Sequence, residues 1–209
     1  MKQKLVLAIA TSVIIGVWST ISQGETADSR LPIDEWMQAI KGTNWYKGIE
    51  ARNHILAEWA HLTEQQRQEL ADACESIVRD ARYDIGVWLG PKHIALSLLP
   101  DLKGERALGM LLDNLGYRVD ARAIGYNKLH GLSEWPAGES LAKLGKPSIT
   151  PTFEKLKQSN DPNIQKVCVM ILCQILTRHG AREMLGKALE KEVALEAKSN
   201  LQAALSYLD

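Results

Sequence analysis

GESLAKLGKPSITPTFEKLKQSNDPNIQKVCVMILCQIL, residues 138–176, holds one helix ending, a helical hairpin and the start of a stack. Gly145 stands just after Leu144, where a helix turns off through a left-handed residue, and Pro147 follows, which cannot continue the same helix. Ile149, Phe153 and Leu156 then recur at helical spacing. At Asn160-Asp161-Pro162 the chain turns again, with Asp161 placed to cap and Pro162 at the first helical position. The second helix should run over about 162–178, closed by the basic turn Arg178-His179 and by Gly180. A hairpin of this kind cannot bury its own apolar face and must stack on neighbours.

A shift of 33 residues tests for such a stack. Ile164, Val167, Cys168, Ile171, Leu172 and Ile175 land on Ala197, Asn200, Leu201, Ala204, Leu205 and Leu208, apolar at every position but Asn200, and Leu156 lands on Leu189. With its Leu144-Gly145-Lys146-Pro147 corner, apolar Ile149, Phe153 and Leu156, and Asn160-Asp161-Pro162 turn, the region 137–209 resembles the short HEAT-like repeats first named for phycobilisome lyases. The resemblance implies an α-solenoid. One departure is Gln165, near where that family often carries an Arg, which argues against a hydrogen-bond ladder between repeats.

Working toward the N-terminus, Thr63 with Gln66 makes a capping box, and Leu70, Ala73, Cys74, Ile77, Val78 and Ala81 follow on one helical face. Before it, Asn44 to Ala60 carries Trp45, Ile49, Leu56 and Trp59 as a stripe, and a shorter helix over 32–40 ends at Gly42. Two short helices, about 91–99 and 104–115, are expected on either side of Pro100, and a weaker one over 119–130 before Gly131. No sustained strand-period alternation occurs. The expected fold is all-α: a right-handed α-solenoid of stacked HEAT-like hairpins over 91–209, with N-terminal cap helices over 31–90.

Residues 1–24 give an address. Lys2 and Lys4 precede an uncharged run from Leu5 to Ile21, and Ser22-Gln23-Gly24 offers small residues for cleavage, so an export signal ending at Gly24 is expected, with 25–30 as a linker. If uncleaved, the same run is an anchor, and either version puts the remainder outside the cytoplasm. Removing 1–24 takes away two lysines and no acid, leaving 23 basic against 25 acidic residues. A chain this close to neutral lacks the electrostatic footprint of a nucleic-acid binder.

Cys168 and Cys173 are five apart on one helix, turned ~140° from each other, so they cannot easily bridge, and Cys74, Cys168 and Cys173 all read as small buried hydrophobes. His54, Glu58 and His61 share one helical face at ligand-like spacing, yet three ligands fall short of a structural zinc site, and no metal or other cofactor is expected. Ser140 and Lys143 spell S-x-x-K without the S-D-N and K-T-G segments that give it meaning. Trp36, Trp45, Tyr46 and Trp59 read as the cover of the open end of the stack.

The helix over 162–178 is apolar nearly all round. Ile164, Cys168, Ile171, Leu172 and Ile175 take one face, and Val169, Met170 and Cys173 lie across from it. Such a helix is buried on every side by neighbouring repeats, or it leaves an apolar strip on the concave face for a partner. On the second reading Val169, Met170 and Cys173 are the partner-binding residues, and the protein is a non-enzymatic scaffold or adaptor for another protein. A membrane-tethered structural subunit is one alternative. An enzyme or enzyme accessory related to HEAT-type lyases is the other.

Overall fold

The computed structural model describes residues 32–120 and 131–209; the segments read as export signal and linker, and most of the helix expected over 119–130, lie outside them. The described residues are helical throughout, with no strand beyond an isolated bridge between Val87 and Asp120. None of the described helices is long and apolar enough to cross a membrane.

Helix α1, Ile33–Lys41, buries Ile33, Trp36, Met37 and Ile40, and Gly42 closes it by donating its N–H to the Gln38 and Ala39 carbonyls. Helix α2, Trp45–Ala57, starts where Asn44 Oδ1 accepts the N–H groups of Tyr46 and Lys47. Its packing face differs from the aromatic stripe expected there. The face is Gly48, Ala51 and Ile55, while Trp45 is 44% exposed and Trp59 falls in a separate 3-10 turn. The reason is a close approach: a Cβ on Gly48 would stand 2.8 Å from Ile94 Cδ1, so the small-residue side of α2 is the one that fits. Of the four aromatics read as a cover, Trp36 is buried, stacked on His54 at 6.3 Å, and Trp59 is half-buried under Arg67, whereas Trp45 and Tyr46 are 44% and 59% exposed.

Helix α3, Glu64–Arg79, begins at the Thr63–Gln66 capping box and buries Leu70, Ala71, Cys74, Ile77 and Val78. It packs on α4, Pro91–Lys103, which does not break at Pro100 as the sequence suggests. Pro100 deprives the Leu96 carbonyl of its helical donor. Ser140 Oγ, from the third helix beyond Cys74's own, supplies a replacement at 2.9 Å, buried from water. The helix therefore passes through the proline. After it come a 3-10 turn, Gly104–Ala107, and the short α5, Leu108–Asp113. Val119 and Asp120, expected to open a helix, are extended instead: their N–H groups bond to the carbonyls of Glu134 and Gly86.

Helix α6, Pro136–Leu144, ends at Gly145 with φ 73, whose N–H reaches the Leu141 and Ala142 carbonyls. Ser148 Oγ adds a bond to the Leu141 carbonyl at 2.7 Å. Helix α7, Ile149–Gln158, leads to α8, Pro162–Lys191, where Asp161 Oδ1 accepts the Asn163 N–H at 2.8 Å. Removing that cap by Asp161→Ala is expected to cost about 0.5–2 kcal/mol. A urea melt checks it, and an unchanged midpoint would make the turn an ordinary solvated loop.

The helix breaks within two residues of the end that the basic turn and Gly180 mark. Thr177, at φ 69 and ψ 162, divides α8 into two arms, and its hydroxyl accepts the Gly180 N–H as the cap of the second arm. Arg178 thus opens a helix, and its guanidinium bonds to the Leu208 carbonyl at the end of α9, Leu195–Ser206. The 33-residue shift now has a structural meaning: α7 maps onto the second arm of α8, and the first arm onto α9.

Neighbouring helices pair as α1 with α2, α3 with α4, α5 with α6, α7 with α8, and α8 with α9. Beyond these pairs, α2, α4, α6 and α8 touch in succession, α1 meets α3, and α5 meets α7. Gly138 marks one close crossing: a Cβ there would lie 2.9 Å from Val167 Cγ1.

A hydrogen-bonded relay joins α7, α8 and α9 at Gln165. Gln165 Nε2 donates to the Ser159 carbonyl at 2.7 Å and to Asn200 Oδ1 at 3.0 Å, while Asn200 Nδ2 donates to the Lys157 carbonyl at 2.8 Å. Both amides are 5% exposed. The single polar position in the repeat shift is therefore a buried tie between α7, α8 and α9.

Candidate functional site

The first arm of α8 turns Val167, Cys168, Ile171 and Leu172 into the core, each completely buried. Val169, Met170 and Cys173 lie round the helix from these and border one cleft of about 470 Å³. Val169 forms its covered floor at 3% exposure, and Met170 and Cys173 are half-buried. All three residues read from the sequence thus line the same cavity.

The remaining walls come from elsewhere. Leu132 and Gly131 precede α6, and Tyr207 and Leu208 follow α9. The Met170 methyl lies 3.9 Å from where a Cβ on Gly131 would stand. Arg178 holds the α9 end in place through the Leu208 carbonyl at 2.6 Å and the Asp209 carbonyl at 3.1 Å, and Arg182 joins it on Leu208 and on the Asp209 carboxylate. No period in the sequence points to Leu132. Tyr207 carries a weak signal, since Leu208 beside it is the repeat partner of Ile175.

Lys166 and Arg178 are the charged residues lining the cleft, and no acid lines it among the described residues. Burial pushes the Cys173 thiol above its ordinary value, with the Arg178 charge opposing, which favours the protonated thiol, a soft apolar contact. Cys74 and Cys168 are buried free thiols, each pushed up to about 12 by burial. A cavity of this size, apolar at its base and cationic at its rim, suits an apolar group that carries acidic neighbours.

The other sequence candidates fall away from this cleft. Ser140 is spent on the Leu96 carbonyl and Lys143 pairs with Asp101 at 2.5 Å. His54 lies flat against Trp36 at an interplanar angle of 4°. Among the described residues no three His, Cys, Asp or Glu side chains gather as metal ligands. No family model, curated protein or solved structure matches this chain.

Proposed function

We propose that this chain is an exported, right-handed α-solenoid of the HEAT-like kind, with a helical cap over 31–90 and stacked hairpins over 91–209, that holds a protein partner in the cleft on α8. It works by binding, as a scaffold or adaptor, and not as an enzyme. The succession of α2, α4, α6 and α8 beside the hairpin pairs, and the recurrence of α7 and the first arm of α8 one repeat later, support the stacked reading. Export rests on residues 1–24.

One observation carries the binding assignment: Met170 and Cys173 stay half-covered in an apolar cleft whose charged lining residues are both cations. Met adapts to irregular partners, and an apolar patch rimmed by charge is a recurrent docking surface. The partner segment that fits is apolar with acidic flanks. Met170→Glu tests this, with quantitative capture from the native envelope or secreted fraction beside a thermal melt. Stability should change by no more than about 0.5 kcal/mol, and capture should weaken by roughly tenfold. A large loss of stability would make Met170 a core residue and remove the assignment.

A further inference from the structure

A second cleft, of about 290 Å³, opens between α2, α4 and α6, and its chemistry is different. His93, in the first turn of α4 and only 7% exposed, accepts the Leu89 backbone N–H on Nδ1 at 2.9 Å. An accepting Nδ1 leaves the proton of the neutral ring on Nε2. No acceptor meets that Nε2–H among the described residues, although the side chain is buried and borders the cleft. Burial, reinforced by the nearby Arg52 charge, pushes the His93 pKa down to about 4, so the ring remains a neutral donor at physiological pH. Leu89, which aims its N–H at the ring, holds a φ of 61, a conformation that a leucine adopts only under constraint.

Opposite His93 stands Arg52 of α2, half-buried. Its Nε donates to Ser97 Oγ at 3.0 Å and its Nη1 reaches Asn53 Oδ1 at 3.4 Å, so its contacts are with neutral groups and no carboxylate pairs with it among the described residues. Lys143 stands at the α6 side, already shared with Asp101, and the acid that lines the cleft, Glu139, is exposed. Against this one exposed acid, the cleft is lined by two cations, Arg52 and Lys143. Ile49 and Ile94 provide an apolar wall.

We propose that this cleft binds a small organic carboxylate, whose oxygens take the His93 Nε2–H and the Arg52 guanidinium while its apolar body lies against Ile49 and Ile94. A ring N–H bordering the cleft, beside a guanidinium whose bonds go to neutral groups, is an arrangement that a carboxylate satisfies directly. The volume allows a body about the size of one aromatic side chain. A free acid and the C-terminal carboxylate of a peptide share this chemistry.

Calorimetric titration of the full chain, with nitrogen NMR of the His93 ring, tests the site. Phenylacetate and N-acetylphenylalanine are the probes, each beside its uncharged amide. Saturable binding of either acid, with a shift of the His93 Nε2 resonance and at least tenfold weaker binding of the amide, is the expected result. Binding of phenylacetate alone assigns a free acid; binding of N-acetylphenylalanine alone assigns a peptide terminus. Arg52→Gln should weaken the bound acid by roughly 10- to 100-fold with the thermal melt retained. His93→Leu removes the second donor, and Arg52→Gln decides the matter if that variant fails to fold. Equal binding of acid and amide, unchanged affinity in Arg52→Gln, or no saturation by either acid in the millimolar range would overturn the assignment.

Discussion

Lowering the pH from neutrality to about 4 is expected to cost the fold about 3 kcal/mol through His93. The folded state holds this ring neutral down to about 4, because burial penalises the imidazolium and the Arg52 charge adds to the penalty, whereas the ordinary value is 6.5. Between those two values the unfolded chain binds a proton that the folded chain refuses. Stability is therefore complete above 6.5 and is lost as the pH falls toward 4, below which both states are protonated and the loss levels off. Carboxylates add their own dependence lower down: Arg82 holds Asp80, Lys187 holds Glu183 and Lys157 holds Glu192 below their usual values. The upper half of the window isolates the histidine. Urea unfolding across that range should show a falling midpoint in the wild type and a flat one in His93→Gln. An equal slope in both proteins would mean that His93 is not the group refusing the proton.

Local chemistry was legible in the sequence, and tertiary chemistry was not. Thr63 with Gln66, Asn44, Gly145 and Asp161 with Pro162 mark helix ends because each acts on backbone groups within a few residues of itself. Pro100 misleads because its cost is met from α6, by a Ser140 hydroxyl 40 residues further along the chain. The face of α2 misleads for a similar reason. Large aromatics outrank a glycine in any hydrophobic pattern, yet the approach of Ile94 selects Gly48 as the contact. Arg178, His179 and Gly180 mark the end of the first arm of α8 to within a few residues, but the positive φ of Thr177 that makes the kink has no sequence signature. The candidate site divides along the same line: helical period alone sets Val169, Met170 and Cys173 on one side of α8. That side borders a cleft only because Leu132 and Tyr207 arrive from other parts of the chain.

Asn200→Leu is expected to destabilise the protein by about 1–3 kcal/mol, although the repeat pattern argues the opposite. By the 33-residue shift the position corresponds to Val167, so a leucine there would complete an apolar stripe. The geometry says otherwise. Helix α7 ends with carbonyls that have no helical donor, and two of them, on Lys157 and Ser159, are met by Asn200 Nδ2 and Gln165 Nε2. Leucine leaves the part-buried Lys157 carbonyl without this donor, and it strips Gln165 of its second acceptor, the buried Asn200 Oδ1. Gln165→Leu alone orphans the Ser159 carbonyl in the same way. Because the two amides bond to each other, the losses should not add, and a double-mutant cycle should return a coupling of about 0.5–3 kcal/mol. Urea melts of the two single variants and the double variant measure it. Additive losses would separate the amides into two independent caps, and a neutral Asn200→Leu would return the position to the apolar stripe and leave packing alone to join these helices.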